Sequence, residues 1–264
     1  IEQNKDRPFF LLFASHDIHV PRMPHERFQG KTSLGYRGDA IVQLDWCVDE
    51  LLKTLDRLGL AERTLVVFCS DNGPVLDDGY KDGAVEKLGN HQPAGPYSGG
   101  KYSVLEGGTR TPFITRWPGR IQPGVSGEIV CTIDLAASFA ALTGQTIADT
   151  GCLDSFNVMG ALLGQTGAKG RDHLLQQSND GGNLGLRLGD WKLVRVKNRG
   201  KPQAIVSLTP PAEPSGTDGL YHLPDDPGER NDVSAKHPVE LKRLQDRMEQ
   251  LIAVQGVAFL DLMK

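Results

Sequence analysis

Thr64-Leu65-Val66-Val67-Phe68-Cys69-Ser70-Asp71-Asn72-Gly73 is the stretch that decides the fold. Its first part is β-branched and apolar and reads as a short strand; the chain then turns abruptly polar at Ser70. Just before it, residues 39–58 place Ile41, Leu44, Val48, Leu51, Leu52, Leu55 and Leu58 at the three-and-four spacing of an amphipathic helix, and Gly59 is a stop signal. Helix, short connection, strand and polar carboxyl end is the grammar of an α/β sheet, in which ligands gather at the strand ends.

Working outward, Phe9-Phe10-Leu11-Leu12-Phe13-Ala14 is a continuous apolar run that ends in Ser15-His16-Asp17-Ile18-His19-Val20-Pro21. Unbroken apolarity of this length suits a strand buried on both faces of a parallel sheet. Residues 74–108 are glycine-rich and aperiodic, too long for a routine connection and therefore functional in character. Residues 111–117 read as another strand, 134–142 as a helix capped by Thr132 and ended by Gly144, and 156–163 as a short helical piece. After Gly164 the pattern changes. Alternation over 184–196, broken by Gly189-Asp190, is a hairpin. Residues 201–219 are an irregular excursion rich in Pro, Ser and Thr, 220–223 a short strand, and 235–254 a final amphipathic helix. The expected fold is α/β, a central mostly parallel sheet flanked by helices, followed by a small antiparallel sheet packed by a helix. Residues 1–165 are then a partial catalytic domain and 166–264 a C-terminal subdomain.

Composition bounds the function classes. With 39% hydrophobic and 23% charged residues, the 264-residue chain can bury a core. A net charge of -4 and the absence of a basic stripe argue against duplex nucleic acid as a partner. No run approaches the roughly 18 apolar residues of a membrane span. Cys47 and Cys69 read as small buried apolar side chains, Cys131 and Cys152 as a possible pair, and Trp46, Trp117 and Trp191 as core.

Several residues could carry chemistry, each with a plainer alternative. Asp71 and Asn72 are adjacent oxygen donors at a strand end; they suit a hard cation such as Ca²⁺ or Mg²⁺, or simply make a turn. Two donors are also too few, since calcium takes about six to eight oxygens. His16 and His19, past the first apolar run, could bind an anionic oxygen or protonate a leaving group, or could be ordinary loop histidines. Within Lys101-Tyr102-Ser103-Val104-Leu105-Glu106-Gly107-Gly108-Thr109-Arg110, Lys101 could neutralise an anion, and Arg110 could clamp one or pair with Glu106. The same segment also reads as a structural surface loop. The spacing is not that of a phosphate-binding P-loop, and no Gly-x-Ser-x-Gly nucleophile elbow occurs.

Taken in order, the segments resemble the sulfatase family of the alkaline phosphatase superfamily. The resemblance runs through residues 13–21, Ser70-Asp71-Asn72-Gly73, residues 99–113, Trp117-Pro118-Gly119, Gly189-Asp190-Trp191-Lys192-Leu193 and residues 220–229. It implies an alkaline phosphatase-like fold and hydrolysis of a sulfuric ester. Asp71 and Asn72 would be Ca²⁺ ligands, His19 would contact the sulfate or the leaving oxygen, Lys101 would hold a sulfate oxygen, and His91 would shape a substrate subsite. A formylglycine would be the nucleophile. The implied partner is a sulfated small molecule or glycan, and the implied location periplasmic or secreted. No Cys/Ser-x-Pro-x-Arg segment, which the family converts to formylglycine, occurs here. The expectation is therefore a C-terminal portion with an incomplete calcium site, inactive alone. Two rivals stand beside this reading. One is a phosphatase or phosphodiesterase of the same superfamily with paired transition metals. The other is a non-catalytic binding protein derived from the fold.

Overall fold

The computed structural model describes residues 1–148, 151–179, 181–196 and 218–261, with side chains through residue 253. These fall into two compact units, taken separately below.

The first unit comprises residues 1–68, 75–92 and 113–123. Its long helix α1, Gly35–Arg57, is the amphipathic segment legible in the sequence, begun one turn earlier than expected. Its start is held by Asp39, whose carboxylate accepts the backbone N–H groups of Gly30 at 2.8 Å and Thr32 at 2.9 Å. Its end is a Schellman stop. Gly59 adopts φ +64, its N–H reaches Asp56 O, and the Leu60 N–H reaches Leu55 O. Strand β1, Val66–Cys69, pairs with β2, Phe113–Arg116, as a two-stranded sheet.

This pairing overturns the expected central, mostly parallel sheet. Both sheets of the described residues are antiparallel. Beyond β1, Ser70 N–H donates to Pro112 O and Gly73 N–H to Gly108 O, so one chain index falls as the other rises. Residues 9–14, expected as a neighbouring buried strand, form none, and Phe10 is 77% and Leu12 76% exposed. A continuous apolar run specifies burial only where other strands flank it, and a strand without a ladder leaves its backbone groups unpaired. β1 itself is half-buried rather than enclosed on both faces. Two smaller expectations also fail. Trp46 is 39% exposed, stacked beneath the Arg27 guanidinium 3.7 Å from its ring. Cys69 is exposed and Cys47 only half-buried. Trp117 does sit in the core, donating its indole N–H to Glu62 O at 2.9 Å.

The second unit comprises residues 69–74, 93–112 and 124–264. A short helix α2, Glu106–Thr109, precedes α3, Asp134–Leu142, and α4, Met159–Leu162. α3 spans the residues the sequence indicated, without the Thr132 side-chain cap. Asp134 instead accepts the Cys131 N–H, the Phe156 N–H and Arg171 Nη1, closing a buried ion pair at 2.5 Å. Cys131 and Cys152 are free thiols. Strands β3, His173–Gln177, β4, Asn183–Leu188, β5, Trp191–Val196, and β6, Asp218–His222, form an antiparallel sheet in sequence order. The β4–β5 hairpin turns at Gly189-Asp190, with Leu188 opposite Trp191, as its alternation indicates. β3 was not anticipated, and most of the excursion at 201–219 lies outside the described residues. Helix α5, Pro238–Asp261, covers one sheet face, where Leu186, Leu193, Leu220, Leu244 and Met248 are fully buried. The opposite face carries Val194 and Tyr221 against Val104, with Lys192 among them. Strand alternation thus sends Leu193 to the helix and Lys192 to the segment around α2.

Candidate functional site

The polar turn at the end of β1 is held by its own side chains. Asp71 Oδ1 accepts the Asn72 N–H at 2.8 Å, Asn72 Nδ2 donates to Gly73 O at 2.8 Å, and Ser70 Oγ donates to Asn72 O at 3.0 Å. Asp71 is exposed and Asn72 half-buried. The turn lies against residues 98–109 backbone on backbone. A Cβ on Gly73 would fall 1.8 Å from Gly107 O, and one on Gly107 only 2.4 Å from Ser98 O, so glycine is required at both. Lys101 joins this framework directly, its N–H donating to Pro74 O at 3.0 Å. Its Nζ sits 5.0 Å from the centre of the Tyr102 ring. Tyr102 adopts φ +79, a conformation costly for a side chain of its size, and of the kind that clusters at working sites. Asp71, Asn72 and Lys101 therefore share one unit and one backbone scaffold.

That scaffold is tied to the C-terminal sheet by buried charge. Glu229 Oε2 accepts the Glu106 N–H at 2.6 Å, at the start of α2. Glu106 Oε1 accepts from Lys192 Nζ at 2.8 Å, and Glu229 Oε1 lies 3.4 Å from the same ammonium. The Lys192 and Glu229 side chains are wholly inaccessible and that of Glu106 nearly so. Burial alone would raise the Glu106 carboxyl, but Lys192, Arg187 and Arg110 hold it below the ordinary carboxylate range. Burial wins at Glu229, which is pushed up. Arg110, 3.4 Å from Glu106, is thus the structural pair that was one of its two readings. The sequence assigns no site role to Lys192 or Glu229, although both lie in the segments that carry the family resemblance. The available signal was a lysine at an inward position between apolar residues of a strand.

His19 and His91 belong to the other unit. His19 Nδ1 lies 2.7 Å from Val20 O, an acceptor, so Nδ1 carries a proton. His16 O accepts the His19 N–H in the same turn, and the Asp17 carboxylate is engaged by Gln43 Nε2 at 3.0 Å. The His91 N–H donates to Leu88 O; burial first, and the charge of Arg37 second, push its imidazole below the ordinary histidine range.

Among the described residues no group of three or more His, Cys, Asp or Glu side chains is placed to hold a metal. Asp71 and Asn72 offer hard oxygen donors of the kind calcium uses, but two donors are not a calcium site. No helix of the described residues is long and apolar enough to cross a membrane.

Comparison with known proteins gives this arrangement a family. The sulfatase family model matches residues 1–145. An N-acetylgalactosamine-6-O-sulfatase of Bacteroides thetaiotaomicron is 41% identical over 254 residues, 95% of this chain and 48% of that protein. Human arylsulfatase A is 33% identical over 237 residues, 86% of this chain and 44% of its own length. A solved Bacteroides thetaiotaomicron structure from work on the metabolism of multiple glycosaminoglycans superposes with a TM-score of 0.86 at 40% identity, covering 95% of this chain and 51% of that one. The PsFucS1 sulfatase from Pseudoalteromonas sp. superposes with a TM-score of 0.73 at 25% identity, covering 91% and 47%. The chain spans about half the length of the curated relatives it matches. On the match over residues 1–145 and these identities, the chain belongs to the sulfatase family.

Proposed function

We propose that this chain contributes the anion-holding part of a sulfuric ester hydrolase acting on a sulfated glycan. The observation that carries the reading is the Lys101–Pro74 backbone bond, which ties the Lys101 main chain to the same scaffold as the oxygen-donor turn Asp71-Asn72. In this proposal Lys101 neutralises a sulfate oxygen, and its donors act most strongly as charge develops in the transition state. His19, with its Nδ1–H committed to Val20 O, gives a proton from Nε2 to the leaving ester oxygen when both ring nitrogens are protonated, and returns to the neutral Nδ1–H tautomer. His91 shapes a substrate subsite. Asp71 and Asn72 supply two of the ligands of a calcium ion, whose role when bound is to offset negative charge on the sulfate. The nucleophile, a formylglycine by family resemblance, has no counterpart among the cysteine and serine contexts of this chain. The division near residue 165, a periplasmic or secreted location and a glycan substrate belong to the same proposal. The glycan is supported by the activity for which the Bacteroides relative, an N-acetylgalactosamine-6-O-sulfatase, is named.

The test has two arms. Isothermal titration of inorganic sulfate into the 264-residue chain should show binding that Lys101→Met weakens by roughly tenfold, the loss of one charge-assisted hydrogen bond. An aryl sulfate assay of the same chain should show no turnover. Multiple turnover would sink the view that the nucleophile lies elsewhere, and an unchanged affinity in Lys101→Met would remove that lysine from the site.

A further inference from the structure

Arg37 lies in the first turn of α1 and is only 4% exposed. Its backbone is closely packed on the loop before the helix. A Cβ on the next residue, Gly38, would fall 2.2 Å from Thr32 Oγ1, and Asp39 is bonded to the loop before the helix. The buried Nη1 of Arg37 has no hydrogen-bond partner. Burial first, and the charge of a second guanidinium, Arg22, next, push Arg37 below the ordinary arginine range. Arg22 is 3% exposed and spends Nη1 on Asp82 at 2.7 Å and Leu76 O, and Nη2 on Val75 O at 2.6 Å. Its Nε is also buried without a partner. Asp82, ion-paired to Arg22, also acts on Arg37, so these three groups set two positive charges against one negative. Buried guanidinium N–H groups left unpaired are costly, and an anion that presents two oxygens side by side is the group whose geometry matches them.

We propose that Arg37 and the Nε edge of Arg22 form a binding site for an oxyanion, a sulfate or carboxylate group carried by a sugar. The site stands on the two unpaired donors alone; its assignment to a second acidic group of the substrate rests on the function proposed above. His91 is a built-in reporter. Burial and then the Arg37 charge hold its imidazole down, so an anion that offsets Arg37 moves its titration upward.

The experiment follows the thermal midpoint and the His91 imidazole resonance of the 264-residue chain as sulfate, glucuronate or glucose 6-sulfate is added. The expected result is a saturable rise in both, retained in Lys101→Met and lost in Arg37→Met. In anion-free buffer Arg37→Met should melt above the parent, because it removes a buried charge that lacks its partner. Arg37→Lys keeps the charge without the fork and should respond roughly tenfold more weakly. Saturation by the sugars at lower concentration than by inorganic sulfate supports the substrate assignment; equal saturation overturns that assignment and gives the site to a free anion. A His91 resonance unmoved by any of the three, or a response that survives in Arg37→Met, overturns the site. A normal Arg37 response beside an unchanged Lys101→Met affinity would fault the catalytic reading and spare this one.

Discussion

Lys192 and Arg37 are both cations withdrawn from water, and the protein treats them in opposite ways. Lys192 sits between two carboxylates, with Glu106 Oε1 at 2.8 Å and Glu229 Oε1 at 3.4 Å. Arg37 has a buried donor that meets nothing, and the charge of another arginine acts on it more strongly than that of Asp82. A buried charge enclosed by its partners is architecture. It joins β5, α2 and the loop before α5 through residues 86 and 123 positions apart in the chain. A buried charge without them is an unfinished interaction. The same burial therefore predicts stability changes of opposite sign.

The largest test of that contrast is Lys192→Met. It leaves Glu106 and Glu229 buried beside each other, and losing one member of a buried ion cluster costs about 3–5 kcal/mol. Urea denaturation should show that loss, whereas Arg37→Met should gain on the order of 1 kcal/mol. Equal signs would break the comparison. Gly73→Ala sharpens it by attacking the scaffold without touching a charge. Its Cβ would fall 1.8 Å from the Gly107 carbonyl oxygen, and neither backbone can move cheaply. A destabilisation of about 1–3 kcal/mol is expected, together with loss of sulfate binding at Lys101. The smallest effect is a pH dependence. The Glu229 carboxyl is raised by burial, so the folded state holds its proton more tightly than the unfolded state. That contribution to stability is present below the ordinary carboxylate value and is lost as pH rises through the raised one. Glu106, held low, does the reverse: its contribution is present above the ordinary value and is lost as pH falls through the lowered one. Glu229→Gln should remove only the alkaline-side decline, seen by comparing melting midpoints from pH 4 upward; an unchanged profile would mean that Glu229 is not the group responsible.

The parts legible in the sequence are those whose signal is local. α1 follows from apolar spacing and Gly59, the β4–β5 hairpin from alternation about Gly189-Asp190, and α3 from its composition. Sheet direction failed because it depends on which strands meet. Residues 9–14 have a strand's composition and no ladder, while β3 ends in polar Gln176 and Gln177 and announces itself weakly. The scaffold holding Asp71, Asn72 and Lys101 was half legible. Its glycines were visible as glycines, but not that Gly73 must meet Gly107. Lys192 and Glu229 were hidden by sequence distance. Arg37 was hidden because an arginine in the first turn of a helix reads as a solvated residue unless its burial is known.

The exposed run at residues 9–14 bears on how all of this can be measured. Phe10, Leu11, Leu12 and Phe13 are each half or more exposed, forming a contiguous adhesive flank. Sulfate, the natural probe for Lys101 and Arg37, is also a salting-out ion that strengthens contacts between such surfaces. Self-association would raise a melting midpoint steadily with salt and with protein concentration, whereas site binding saturates and ignores dilution. Dilute protein and a matched chloride series therefore decide whether a sulfate response comes from two arginines or from four greasy side chains.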